Sequence, residues 1–223
     1  MVVNVTDFPV MGEPSQRVSV AFTFAVPPWT LERVDSFGEQ VYARAYLRGV
    51  ENAGEVVVLG DGAAWIWRSF SHHYPDAVQI LDYFHASEHL ALVANAWYGE
   101  GTEKAKRWVE ARQCDLLSDC VETVIRSIRS WKPVDDEAKE IRRKNLSYFA
   151  TNKDRMRYAT FKAHGYHIGS GLVESACKTV VGTRLKQSGM RWSQAGAEAM
   201  LHLRSLLLTN QNADLRSYAR MLS

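Results

Sequence analysis

A strand–helix–strand pattern between residues 55 and 85 constrains the fold of this chain more than any other feature. Its first part is a continuous apolar run, VVVL at 56–59, which ends in Gly-Asp-Gly at 60–62. Helix-like sequence follows up to Pro75, and a second apolar run covers 77–85. Short continuous apolar runs are typical of strands buried on both faces, and two strands joined by a helix pair in parallel. The pattern therefore predicts a βαβ unit in a mixed α/β fold.

The sequence on either side of this unit has a different character. Before it, two strands and one helix are predicted, at 2–6, 17–26 and 36–50. The helix begins at Ser36 and places Phe37, Val41, Ala45 and Tyr46 on one face. After it, apolar residues recur at helical spacing with few strand signals, which predicts amphipathic helices at 87–98, 102–113, 116–130 and 135–158.

A glycine-rich stretch ends this helical block. The sequence GYHIGSG at 165–171 interrupts the helical pattern, and further helices are predicted to begin near Leu172 and Ser193. We therefore expect three parts: the first part of an α/β core at 1–85, an all-helical insertion at 86–163, and the C-terminal helices of the core at 164–223.

Composition excludes several classes of protein. Of 223 residues, 46% are hydrophobic and 23% are charged, which is typical of a globular protein. No run of about 18 apolar residues exists, so no membrane span is predicted, and the N-terminus lacks the pattern of a signal peptide. The three scattered cysteines fit neither a disulfide framework nor a zinc motif. We expect a reducing compartment, which is the cytoplasm if the source is bacterial.

Charge is unevenly distributed along the chain. The net charge of +2 divides into −7 for residues 1–100, +2 for 101–150 and +7 for 151–223. A basic C-terminal part suits a polyanion such as nucleic acid. The alternative is that the acidic and basic parts pack against each other.

Two carboxylates stand out as candidates for chemistry. Asp61 follows a buried strand, where α/β folds place active sites, although such an Asp can also cap the next helix. Glu174 leads a helix that carries Lys178 one turn later, and no acid occurs from 175 to 197. A single acid at the start of a cationic helix suits a metal ligand beside a phosphate, although a favourable interaction with the helix dipole explains it equally well.

The segment HASEH at 85–89 offers a different chemistry. It matches H-x-x-E-H, in which two histidines bind Zn²⁺ and the glutamate is the general base. Against a zinc hydrolase, the pattern predicts that His85 belongs to a strand end, so that His85 and His89 would not share a helix. The alternative is that a histidine here organises the strand end through Asp82 or the backbone.

The stretch RLKQSGMRWS at 184–193 combines cations, an aromatic residue and a glycine turn. This composition suits contacts with a phosphate backbone, although a solvated helix end would look similar. The candidate DNA-binding residues are Lys178, Arg184, Lys186, Arg191 and Trp192.

Five motifs occur in an order that is specific even though each motif alone is modest. They are VVLGDGAAWIW at 57–67, QILDYFHASEHL at 79–90, NKDRMRY at 152–158, IGSGLVESACK at 168–178 and RLKQSGMRWS at 184–193. Over residues 36–208 the chain resembles the bacterial DDE transposases of insertion sequences, in particular the Kra-type group.

The resemblance implies an RNase H-like domain, a mixed β-sheet flanked by helices, with an all-α insertion before the helix of the last catalytic Glu. Asp61 matches the second catalytic Asp and Glu174 the final Glu. Asp82 and His85 match an Asp-x-x-His element that supports the site. The implied cofactor is a pair of Mg²⁺ or Mn²⁺ ions, because carboxylates that clamp two such ions stabilise the attacking and leaving oxygens of phosphoryl transfer. The implied partners are transposon ends and target DNA, bound by a homo-oligomer.

The chain departs from the family pattern near its N-terminus. The first catalytic Asp of the family precedes a Gly, and no Asp-Gly pair precedes Asp61 here. Asp7 follows a predicted strand and is the candidate for that role, although Phe8 comes after it. We therefore expect a truncated catalytic domain. The alternative is a catalytically incomplete remnant that only binds DNA.

Overall fold

A computed structural model describes part of the chain in detail. The described residues are 2–4, 21–23, 38–39, 41–43, 45–46, 50–169, 171, 183, 189–193, 196–197, 200 and 203–204. The chain divides into two compact units, Met1–Ser170 and Gly171–Ser223. The described part is a mixed α/β structure in which helices predominate.

Two short strands come first. Strand β1 (Val2–Asn4) pairs antiparallel with β2 (Ala21–Thr23). The described residues between 38 and 46 are helical, as predicted, and Val41 and Ala45 are buried. Tyr46 was predicted on the same buried face but is half exposed.

The predicted βαβ unit is present. Strand β3 (Val57–Gly60) leads into helix α1 (Ala64–His73), and β4 (Val78–Leu81) follows. The two strands are parallel, in a register that pairs Val57 with Val78 and Gly60 with Leu81. Helix α1 packs against them through three buried side chains, Ile66, Trp67 and Phe70. Strand β1 lies beside β3, with Cα atoms within 8 Å.

The second strand is shorter than its apolar run predicts. It was expected to extend to His85 but ends at Leu81, and helix α2 (Tyr83–Tyr98) begins almost at once. The reason is Asp82, whose Oδ1 accepts hydrogen bonds from the backbone N–H groups of Phe84 and His85 at 2.8 and 3.1 Å. An N-cap of this kind satisfies donors that a helix start leaves unpaired. The prediction that His85 lies at a strand end is therefore wrong, and His85 and His89 share one helix.

Residues 86–163 contain helices and no strand, and this whole range is described. After α2 come α3 (Glu103–Leu117), α4 (Val121–Ser130), α5 (Asp136–Asn152), a 3₁₀ helix (Lys153–Met156) and α6 (Tyr158–Ala163). The helix predicted at 135–158 is thus divided into three pieces. The helices bury one apolar face each, and their core is continuous with that of the βαβ unit.

Two contacts fix the end of the helical block. Asp119, with φ +60°, caps α6 from outside it: its carboxylate accepts hydrogen bonds from Ala159 N at 2.7 Å and Thr160 N at 3.0 Å. Arg155 reaches back to the βαβ unit, where its Nε donates to Gln79 Oε1 at 2.8 Å and its guanidinium lies 4.5 Å from the centre of the Trp67 ring. The NKDRMRY motif therefore connects the helical block to the βαβ unit through the contacts of Arg155.

The second unit is described at fewer positions. Ala197 N donates to Ser193 O at 2.9 Å and Gly196 N to Ser193 Oγ at 3.1 Å, which places a helix start at Ser193 as predicted. Arg204 Nη2 donates to Thr183 Oγ1 at 2.9 Å. Among all the described residues, none of the helices combines the length and the apolar character needed to cross a membrane.

Candidate functional site

Asp61 and Asp82 occupy equivalent positions at one edge of the parallel sheet. Gly60 and Leu81 are register partners, so the two aspartates directly follow the last paired residues of neighbouring strands. Asp82 N donates to Gly60 O at 2.7 Å, which continues the pairing by one bond. Neighbouring strands lie about 4.8 Å apart, so the backbones of the two acids are adjacent.

The two acids differ in what their side chains do. Asp82 is buried, at 5% exposure, and its carboxylate caps α2. Asp61 is partly buried, and its Oδ1 accepts one hydrogen bond from Ala63 N at 3.0 Å. The N-cap of α1 is Ala63, without a side-chain cap bond. Asp61 therefore shapes the turn but does not cap the helix, and among the described residues its Oδ2 has no hydrogen-bond partner.

Gly62 allows this turn to form. Its φ of +96° is one that residues with a side chain rarely adopt. A Cβ on Gly62 would lie 2.8 Å from Leu81 Cδ1 and 2.9 Å from Tyr148 Cε2, closer than such atoms approach. Both the backbone conformation and the packing therefore require glycine beside Asp61.

Tyr148 of helix α5 contacts the turn that contains Asp61. Its hydroxyl donates to the backbone carbonyl of Asp61 at 3.2 Å. Burial raises the pKa of Tyr148 well above its ordinary value, and the negative charges of Asp61, Asp82 and Glu88 raise it further. The phenol therefore stays protonated at neutral pH, and the charges of three acids act on it. A region of this charge attracts cations.

Histidines from α2 form the other side of the site. The ring of His89 stacks on Tyr148 with centroids 3.7 Å apart, and its Nδ1 lies 2.7 Å from Asn145 Oδ1. His85 lies one turn earlier, with its Nδ1 3.3 Å from Glu88 Oε2. Burial lowers the pKa of His89 below its ordinary value, which the hydrogen bond with Asn145 opposes.

Residues 168 and 169, the last described residues of the first unit, lie beside this site. Tyr83 N donates to Ile168 O at 2.8 Å. Gly169 lies so close to Phe84 that an added Cβ would be 2.7 Å from the phenyl ring. Residues 168 and 169 therefore run along the first turn of α2, next to Asp82.

The described residues include only part of the predicted site. Asp61 and Asp82 lie side by side at the strand ends, and His85 lies in the first turn of α2, which Asp82 caps. Five predicted residues lie outside the described residues: Asp7, Glu174, Lys178, Arg184 and Lys186. Arg191 and Trp192 are exposed. Within the described part, no group of three or more His, Cys, Asp or Glu side chains is arranged to hold a metal ion.

Sequence reasoning missed Tyr148 and Asn145. A signal for them exists on α5, where Asn145, Tyr148 and Asn152 interrupt the apolar stripe at helical spacing. Asn145 and Asn152 are both buried, at 4% exposure. Buried polar side chains require partners, so their position on an inward-facing stripe indicates a hydrogen-bonded site.

Comparisons of the chain with known protein families, curated proteins and solved structures give no match.

Proposed function

We propose that this chain is the catalytic part of a DDE transposase, which cleaves DNA at the ends of an insertion sequence and joins them to target DNA. The observation that carries the proposal is the pairing of Gly60 with Leu81, which sets Asp61 and Asp82 at one edge of a parallel sheet. Active sites of open α/β sheets lie at the carboxyl ends of the strands. The five ordered motifs support the assignment of the reaction, because their order resembles that of the DDE transposases.

The strand arrangement supports the finer proposal of an RNase H-like domain. Strand β1 pairs antiparallel with β2 and has Cα atoms within 8 Å of β3, which pairs parallel with β4. An antiparallel pair beside a parallel one is what a mixed sheet of this type requires. In this proposal Asp7, three residues beyond the end of β1, is the third acid of the site.

The donor set fits a hard divalent cation. Mg²⁺ and Mn²⁺ prefer carboxylate and water oxygens, and Asp61 has an oxygen without a partner in the described part of the chain. From the resemblance we propose Asp61, Glu174 and Asp7 as ligands of two ions, with Asp82 and His85 as the Asp-x-x-His element beside the site. When bound, such ions stabilise charge on the attacking and leaving oxygens of phosphoryl transfer.

Residues of the chain position the proposed ligand Asp61 and the neighbouring strand end. Tyr148 holds the carbonyl of Asp61, and Gly62 lets the turn form beside it. The buried cap formed by Asp82 fixes the neighbouring strand end. Five residues are proposed to bind DNA, the cations by contacts with phosphates: Lys178, Arg184, Lys186, Arg191 and Trp192.

Cleavage of DNA that carries the sequences flanking the gene tests the proposal. Purified protein with Mg²⁺ or Mn²⁺ should nick this DNA and join the free 3′ ends to a target plasmid. Asp61→Asn and Glu174→Gln should abolish both steps, whereas Asp76→Asn, at an exposed acid of the same βαβ unit, should keep them. DNA binding without cleavage under all conditions would instead identify a remnant that only binds DNA.

A further inference from the structure

The two histidines of the HASEH segment lie on one face of α2, one helical turn apart. The centroids of the His85 and His89 rings are 5.9 Å apart, and the ring planes are inclined by 66°. Both rings are on the helix because Asp82 ends the strand three residues before His85. His85 and His89 are therefore close enough to contact one small ligand together.

Both rings have their Nδ1 atom against an oxygen. Asn145 Nδ2 donates to Ile141 O at 2.8 Å, so the oxygen end of the Asn145 amide faces His89, and His89 Nδ1 must donate to it at 2.7 Å. His85 Nδ1 lies 3.3 Å from Glu88 Oε2, and an ionised carboxylate only accepts. Neutral His89 therefore carries hydrogen on Nδ1 and a lone pair on Nε2. For His85 the same tautomer is the one that directs its N–H toward the Glu88 carboxylate.

We propose that His85 and His89 bind one divalent transition-metal ion, such as Zn²⁺, through their two Nε2 atoms. Histidine ligands of metals characteristically donate the other ring N–H to an oxygen that orients them, which is the role of Asn145 and Glu88 here. Two imidazoles that share an ion at about 2.1 Å have centroids roughly 5 to 6 Å apart. The observed centroid separation of 5.9 Å falls within that range.

This assignment changes the role that the H-x-x-E-H motif gives to its glutamate. Glu88 contacts the Nδ1 of His85 and so orients a ligand, which differs from the role of a general base. Among the described residues, no third His, Cys, Asp or Glu joins the pair. The His85 side chain is 43% exposed, which leaves the ion accessible from solvent.

Three features restrict the His89 ring and favour binding over a flexible surface pair. His89 stacks on Tyr148 and meets the edge of Phe149, with centroids 6.5 Å apart. Its partner Asn145 is buried and held at its other end by Ile141. Pre-organised ligands lose less conformational entropy when the ion binds, so the affinity exceeds that of an unrestrained pair.

Calorimetric titration of the metal-free chain with Zn²⁺, in excess Mg²⁺, tests the proposal. One site should be present, and both His85→Gln and His89→Gln should weaken it at least tenfold. Asn145→Ala should weaken it by roughly tenfold, because the orienting oxygen is lost. The matched control is His72→Gln, at an exposed histidine of α1 beside His73, which should leave this site unchanged.

Electron paramagnetic resonance with Cu²⁺ supplies an independent readout of the ligands. The parent chain should show coupling to two imidazole nitrogens, and each single variant to one. Zinc affinity equal in the parent and in the double variant H85Q/H89Q would overturn the proposal, provided that circular dichroism shows both to be folded. Because neither measurement uses DNA or catalysis, the result is separate from the test of the proposed transposase activity, which depends on Mg²⁺ and Asp61.

Discussion

The hydroxyl of Tyr148 donates to the backbone carbonyl of Asp61 over 3.2 Å, although 87 positions separate the two residues. This bond connects α5 of the helical block to the turn that follows β3. The same tyrosine packs on Gly62 and His89. The helical block therefore holds the turn of the proposed metal ligand.

Replacement of Tyr148 by Phe should affect activity more than stability. Tyr148→Phe keeps the ring stack on His89 and loses one hydrogen bond, worth about 1 kcal/mol of unfolding free energy. Metal-dependent DNA cleavage should fall by roughly tenfold or more, because small displacements of a catalytic group are costly. Urea unfolding and the cleavage assay measure the two effects.

Tyr158 offers a matched control for that experiment. It is fully buried, and its hydroxyl has no hydrogen-bond partner in the described part of the chain. Tyr158→Phe removes no bond, so its stability should equal or exceed that of the parent, with cleavage retained. Equal losses of activity in both variants would show that the bond to Asp61 has no special role.

Gly62→Ala should destabilise the chain strongly. The positive φ and the close approach of Leu81 and Tyr148 act together, and we expect a loss of about 2 to 4 kcal/mol. Gly101→Ala isolates the backbone contribution, because Gly101 has φ +72° and open space around it, and should cost about 1 to 2 kcal/mol. Gly54→Ala, with nothing within 4 Å, should change stability by less than about 1 kcal/mol. Chemical denaturation of the three variants would contradict this account if Gly62→Ala cost no more than Gly101→Ala.

Tyr74 should make the stability depend on pH in the alkaline range. Burial, followed by the nearby Tyr42 and Glu51, raises the pKa of Tyr74 to about 12. An unfolded tyrosine loses its proton near pH 10, so between about pH 10 and pH 12 the unfolded state binds fewer protons and stability falls as pH rises. Tyr74→Phe should reduce this fall.

Urea unfolding at about pH 8 and about pH 11 measures the effect of Tyr74. The Tyr74 hydroxyl is buried and has no partner among the described residues, so the variant should not be less stable at the lower pH. Tyr46→Phe, at a half-exposed tyrosine, is the control and should behave as the parent does. A Tyr74→Phe variant that loses stability as steeply as the parent would refute the assignment.

Arg184→Ala should weaken DNA binding on all sequences alike. Each phosphate contact releases counterions, so the slope of log affinity against log salt should flatten by about one unit. Affinity is measured over a salt series on flanking and random duplexes, with Arg68→Ala, at an exposed position of α1, as the control. An unchanged slope with lower thermal stability would mean that Arg184 pairs with acidic side chains of the protein.

The sequence predicts the βαβ unit well because local features define it. Continuous apolar runs specify buried strands, and Gly60, Gly62 and Pro75 mark their limits. The end of the second strand was misplaced because the aromatic residues Tyr83 and Phe84 extend the run past Asp82, although both belong to the first turn of α2 and Phe84 is 54% exposed. A strand and a buried helix share this pattern, and only the capping bonds of Asp82 decide between them.

The role of Tyr148 could not be predicted in the same way. Its partner is distant in sequence, and no local pattern encodes which inward-facing residue of α5 meets which turn. The same holds for Asp119, whose carboxylate caps a helix about 40 residues later. Such contacts follow from how the helices pack, which depends on the complete core.

Asp82 takes part in two elements at once, since its N–H extends the sheet and its carboxylate begins α2. Loss of the last sheet bond therefore removes the cap, and fraying of the first helical turn releases the strand end. The amides of Asp82, Phe84 and His85 should consequently exchange with deuterium as one cooperative unit. An ion bound beside these amides would slow the exchange of all three together. Hydrogen exchange at the Asp82 amide therefore reports whether an ion is bound at this edge of the sheet.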